Sequence, residues 1–407
     1  MTRRALRLGA MLAALVCLYT LSLLAAYSFD DAWIEKNVQA ARAVLREEAN
    51  MPGDYATYFW HSGFGITDNV TDLRIYEGLL RGERSVVEAA MRTDYLRYWH
   101  GYAVILRPLM AALSITHVRY IAMMGLMGLW VLCCLKMARQ LGTRAALLFA
   151  LSLLMSFFLI APFCQQYVTV YAVTLLSCLA ALWGWPWLRE RLPEWFLLLG
   201  SLTCFLDFLT FPVLALGYPL VCCQLMRLRD GKEGLWGETL ALTAVWMAAY
   251  GLTWLGKGAV GTLLTGQDVF QSIWEQVLAR TTGAMDTGER ILEVSAAGSI
   301  AINVETFFFG ANAALFLAVC LWLACRALRA RPRRWGPAMP VAVVALFPLA
   351  WYAVMQNHTR VHFWMTHKQL SVTVFALWAY LLAVVLPCKG SLPDGLTGRA
   401  KDSYNKS

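Results

Sequence analysis

Residues 195–226 read WFLLLGSLTCFLDFLTFPVLALGYPLVCCQLM. The hydrocarbon core of a bilayer is about 30 Å thick, and a helix needs roughly 17–25 apolar residues to cross it. The stretch is too long for one crossing and short for two. Phe211-Pro212 stands near its middle. Proline lacks an amide donor and clashes with the preceding helical turn, so a helix breaks there. A break gives two crossings.

Charge tests that choice. Eight further apolar segments qualify: 8–27, 119–135, 145–163, 168–187, 239–256, 306–325, 337–355 and 370–388. With ten crossings, one side holds Arg3, Arg4 and Arg7, then Lys136, Arg139 and Arg144, then Arg189 and Arg191. It also holds Arg227, Arg229, Lys232, the arginine run 326–334 and the basic tail 389–407. That side carries 20 of the 35 basic residues against 7 of the 26 acidic ones, a surplus of 13 that leaves the other side at −4. Positive loops are cytoplasmic loops. A single crossing through 195–226 would turn the 326–334 run outward. The expected fold is therefore all-α: a polytopic transmembrane bundle of about ten helices, one integral membrane domain over 1–407. Both termini are expected in the cytoplasm, and the setting is read as a bacterial plasma membrane. Residues 1–26 also have the parts of a signal peptide, but the apolar run is long for one, and a retained helix is expected.

Composition agrees. The chain is 59% hydrophobic and 15% charged, whereas soluble domains carry about 25% charge. No folded polar surface with clustered Lys and Arg exists for nucleic acid. Most of the eleven cysteines lie in apolar runs, and the polar stretches 28–100 and 257–305 hold none. They read as small buried hydrophobes rather than a disulfide framework.

Two outer loops are long, 28–117 and 257–305. Ile34, Val38, Ala41 and Leu45 fall at helical spacing in the first, and Phe270, Ile273, Trp274, Val277 and Leu278 in the second. Such helices lie in the membrane interface or pack on the bundle. The first loop is rich in aromatics, among them Trp33, Tyr55, Tyr58, Phe59, Trp60, Tyr95, Tyr98 and Trp99, and disordered segments are not. Residues 101–115 hold Arg107-Pro108 and are too short to span.

Candidate chemistry gathers outside. Asp30-Asp31 follow the first crossing; they are read either as caps of the next helix or as a general base. Asp207 is the clearest acid in an apolar run, and such acids are functional candidates. All six histidines map outside: His61, His100, His117, His358, His362 and His367. The stretch QNHTRVHFWMTHKQ, 356–369, adds Arg360 and Lys368. It reads as a cationic surface at headgroup level able to hold a phosphate, or else as an interfacial anchor. His358 and His362 have metal-compatible spacing, yet no nearby Glu or Cys completes a site. No cofactor is expected, with a divalent metal the alternative.

With an acidic motif after the first crossing, a long outer loop and a late basic loop, the chain resembles the GT-C class of membrane glycosyltransferases. The resemblance implies a donor sugar linked to polyprenyl phosphate and a glycan or lipid acceptor. It implies a base at Asp30 or Asp31. It places the leaving phosphate near His358, Arg360, His362, His367 and Lys368. The competing readings are a flippase for lipid-linked sugars and a polysaccharide polymerase or acyltransferase with His100 as base. The last is a membrane subunit without chemistry.

Overall fold

A computed structural model describes residues 2–51, 55–57, 65–286, 291–329 and 335–385. His61, the aromatics 58–60, the arginines 331–334 and the tail 389–407 lie outside these residues. The described fold is all-α apart from two small antiparallel strand pairs, Ala56–Thr57 with Ile66–Thr67 and Ala284–Asp286 with Ile291–Glu293. Six helices are long and apolar enough to cross a membrane: Arg3–Ser28, Ile115–Leu141, Gln165–Trp183, Trp236–Thr265, Ala311–Arg329 and Trp335–Val354. The chain is thus built as a membrane protein. Shorter helices, Thr143–Met155, Leu192–Leu206, Val213–Arg229 and Leu370–Ala383, pack among them.

The break expected at Phe211-Pro212 is present. Helix Leu192–Leu206 stops at Asp207, whose carboxylate accepts the Thr210 amide at 3.1 Å. Leu209 takes a positive φ of 69°, and Val213–Arg229 starts after Pro212. The Gln369 side chain accepts the new helix's Val213 amide at 3.3 Å. A carboxylate, a strained leucine and a proline together end one helix and begin the next.

Among the described residues, side chains join several of the basic segments at one end of the bundle. Arg4 pairs with Glu194 at 3.2 Å, Arg227 donates to the Arg189 carbonyl at 2.8 Å, and Arg229 reaches Gln140. At the other end the first long loop folds into a layer with its own core. Helix Glu35–Glu48 buries Val38, Ala41 and Leu45, as its spacing requires, together with Ile34 before it. These pack with Tyr27, Tyr76, Trp99 and Leu106. Arg107 pins the layer. It is 1% exposed, pairs with Asp31 at 3.1 Å, and donates to the carbonyls of Ala26, Phe29 and Leu79. Its helix, Ala103–Ala112, has 10 residues and does not span.

Two loop boundaries move. Helix Trp236–Thr265 runs straight through Lys257, so the second loop begins at Gly266 rather than 257. Lys257 is buried and donates to the Met91 carbonyl at 2.8 Å, while the Trp99 indole donates to Thr253 at 2.8 Å. These two bonds explain the continuation, because the first loop's layer covers the helix's upper turns. Likewise Ile115–Leu141 starts before His117.

Candidate functional site

Between the first-loop layer, the Asp207–Pro212 break and the late loop lies a cavity of about 530 Å³. Its walls are polar. Asp68, Arg74, Glu77, Arg92, Asp94, Arg97 and His100 come from the first loop; Gln166 opens a helix; Arg280, His358 and His362 come from later loops. A second, apolar slot of about 180 Å³ adjoins it, lined by Tyr98, Asp207, Tyr250, Trp254, Val277, Trp351 and Met355 among others. Arg280 lines both.

Arg280 closes helix Val269–Thr281, whose Val269 and Ile273 pack on Gly258 and Gly261. Phe270, Trp274 and Leu278 on the same helix stay exposed. The guanidinium donates to Tyr98 at 3.0 Å and to His358 Nδ1. His358 Nε2 must then be the protonated nitrogen, since it meets the Leu209 carbonyl at 2.8 Å. Burial and the nearby arginine hold His358 well below the usual imidazole pKa, so it orients Arg280 as a neutral ring. Arg97 stacks on Tyr95 with its guanidinium 4.0 Å from the ring centroid.

The carboxylates differ in commitment. Asp94 pairs with Arg92 at 2.9 Å and Arg84 at 2.6 Å, and Glu77 with Arg42 at 2.7 Å. Asp68 pairs with no arginine among the described residues. It is 4% exposed and caps helix Asn69–Glu77, accepting the Thr71 amide at 2.9 Å and the Thr71 hydroxyl at 2.6 Å. His362 lies beside it in the wall. Burial, with Arg280 adding, brings His362 down to about 4, and its Nδ1 has no partner among the described residues.

The sequence candidates separate. His100, His358 and His362 reach the cavity. Asp207 lines the apolar slot. Asp30 caps the turn Asp31–Trp33 by accepting the Ala32 amide at 3.0 Å, while Asp31 holds Arg107 and the Gly82 amide; neither lines the cavity. His100 has both ring nitrogens engaged, with the Tyr102 hydroxyl at 3.0 Å and the Tyr95 carbonyl at 2.9 Å. Burial keeps it neutral.

The cationic surface expected of 356–369 does not form. The stretch folds into short helices Gln356–Val361 and Phe363–Thr366 and a turn, and helix Ala296–Phe307 packs over them. Ser299 donates to the Gln356 carbonyl, and Thr366 to Asn303. His358, His367 and Lys368 are buried as a result, and the Lys368 ammonium donates to the Ser156 carbonyl at 3.2 Å. Arg360 is exposed, but over a separate recess with Glu293 and Glu305. Arg360 and Lys368 therefore share no phosphate site. Among the described residues, no cluster of three or more His, Cys, Asp or Glu could hold a metal.

Asp72 supports the cavity from behind. Its buried carboxylate accepts the Gln165 amide at 3.0 and 2.8 Å and so caps helix Gln165–Trp183 from outside the helix. Burial raises its pKa to about 7. A buried acid with a raised pKa binds its proton more tightly folded than unfolded. Its contribution is therefore fully present below about 4 and is lost as pH rises from there to about 7. Asp72→Asn should flatten that part of the stability profile, read by thermal unfolding in detergent from pH 4 to 8. A profile as steep as the parent's would acquit Asp72. Comparison with protein families, with characterised proteins and with solved structures gave no match for this chain.

Proposed function

We propose that this chain is a membrane glycosyltransferase that takes a sugar from a polyprenyl-phosphate carrier and passes it to a glycan or lipid acceptor at the outer membrane face. One observation carries the reading: a polar, arginine-lined cavity meets an apolar slot, and Arg280 stands at the junction. A lipid-linked sugar has that division, with sugar and phosphate polar and the tail apolar. In the proposed reaction the acceptor hydroxyl oxygen attacks the anomeric carbon. The bond from that carbon to the phosphate oxygen breaks, and its electron pair leaves with the phosphate. The hydroxyl proton passes to Asp68. Arg97 and Arg280 stabilise the charge on the leaving phosphate. Purified protein should move label from a polyprenyl-linked sugar to acceptor. Lipid-linked sugar that crosses a vesicle membrane unhydrolysed and untransferred would instead mark a flippase.

The ten-crossing topology belongs to the same proposal, with both termini cytoplasmic in a bacterial plasma membrane. The gathering of Arg4, Arg189, Arg227 and Arg229 at one end of the bundle supports it. In a cysteine-free background, Glu83→Cys and Gln267→Cys, both exposed, should react with an impermeant thiol reagent in intact cells. Arg144→Cys should not. The opposite labelling pattern would invert the topology.

A further inference from the structure

Three arginines of the cavity wall, Arg74, Arg97 and Arg280, have no carboxylate partner among the described residues. Asp94 and Glu77 are already set against Arg92 and Arg42. Asp68 is the one wall carboxylate left; the wall holds four arginines against three acids, and Arg42 and Arg84, which pair with Glu77 and Asp94 from outside it, raise the local excess to three positive charges. The three wall histidines, drawn neutral by burial of their rings, add none. Two of the arginines are neighbours across one phenol: Arg280 donates to the Tyr98 hydroxyl at 3.0 Å, and the Arg97 guanidinium lies 5.8 Å from the Tyr98 ring centroid. The Nε atoms of both are buried without partners among the described residues. So is Nε2 of Gln166, itself 4% exposed and also in the cavity wall. Buried donors left unpaired are costly, and three in one cavity point to an acceptor-rich ligand.

We infer that the cavity is built for a diphosphate, so that the carrier is a polyprenyl diphosphate rather than a monophosphate. The inference rests on the transferase reading above and narrows it. A sugar–lipid phosphodiester carries one negative charge, and a sugar–lipid diphosphate carries two, on adjacent phosphorus atoms. Adjacent charges suit arginines that flank a single tyrosine, each able to hold one phosphoryl group in a bidentate way. A phosphate paired with a distant sugar carboxylate would instead need its cations apart.

The test is binding to the purified full-length protein in detergent at constant ionic strength, with inorganic pyrophosphate, methylenediphosphonate and inorganic phosphate as probes. Pyrophosphate and the diphosphonate should bind at least about tenfold more tightly than phosphate. Arg97→Ala and Arg280→Ala should each weaken pyrophosphate by about ten- to a hundredfold. The Lys variants, which keep the charge and lose the fork, should fall between and serve if an Ala variant fails to fold. Arg360→Ala, over its separate recess, should bind as the parent does. Equal affinity for phosphate and pyrophosphate would overturn the inference, as would unchanged affinity in the Arg97 and Arg280 variants. Transfer assays separate the two claims. Transfer from a monophosphate-linked sugar alone, or a requirement for a uronic-acid donor, overturns the diphosphate inference and leaves the transferase standing. A pyrophosphate preference without transfer from either donor keeps the anion site and sinks the transferase.

Discussion

Replacing Asp68 by Asn is expected to lower sugar transfer by about 10²–10⁴-fold while leaving stability and donor binding nearly unchanged. Asp68 caps helix Asn69–Glu77 through the Thr71 amide and hydroxyl. Asn is as good a cap as Asp, so the fold should tolerate the change. An amide accepts no proton at working pH, so a general base is lost, and loss of a positioned base costs that much in rate. Asp30→Asn is the matched control, because Asp30 caps a turn away from the cavity. The measurement is turnover normalised to folded protein, beside detergent melting curves. Near-normal turnover in Asp68→Asn would confine Asp68 to capping and make His362 the next base to test.

Arg107→Met should destabilise the protein by about 3–5 kcal/mol, the usual cost of removing one partner from a buried ion pair. That is a large share of a typical folding stability of roughly 5–15 kcal/mol. Arg107 ties Asp31 to three carbonyls at the end of the first helix and in the loop layer. Asp31→Asn should cost less, because Arg107 keeps its three carbonyl partners and the amide oxygen can still accept from it. Melting temperature and the yield of monodisperse protein check both. A parent-like melting curve for Arg107→Met would show that the loop layer holds without its central ion pair.

Hydropathy and charge made the helices legible. Among the described residues, every apolar segment read from the sequence contains an α-helix, because a backbone in lipid must satisfy its own hydrogen bonds. The break at Phe211-Pro212 was legible from segment length, loop charge and proline together, since Pro219 in the same stretch stays inside a helix. The loop boundaries were not, since Lys257 reads as a solvent-facing start of a loop, and only the folded layer above it supplies the Met91 carbonyl that lets it stay in a helix. The late loop misled for the same reason. Its histidines and lysine look like surface charge, and helix Ala296–Phe307 covers them from more than fifty residues away in sequence. Asp68 gave little local sign beyond Asp68-Asn-Val-Thr71, a cap pattern. Arg97, Gln166 and Arg280 are far apart in the chain, and three-dimensional closure alone makes them neighbours. Gln165-Gln166, two amides opening an apolar run, was the nearest available signal.

The helices also differ in length according to where they stand. Arg3–Ser28, Ile115–Leu141 and Trp236–Thr265 have 26 to 30 residues and mostly unburied surfaces. At 1.5 Å per residue they reach about 40 Å or more, enough to cross hydrocarbon of about 30 Å. Leu192–Leu206, with 15 residues and a largely buried surface, reaches only about 22 Å. Irregular backbone at membrane depth is tolerated where protein covers it, and Phe211 and Thr210 after this helix are fully buried. In the proposed transferase, this short helix and the break after it, whose Phe208 lines the cavity, would let a carrier lipid reach the site without leaving the bilayer, and hosts of different acyl-chain length should tune turnover.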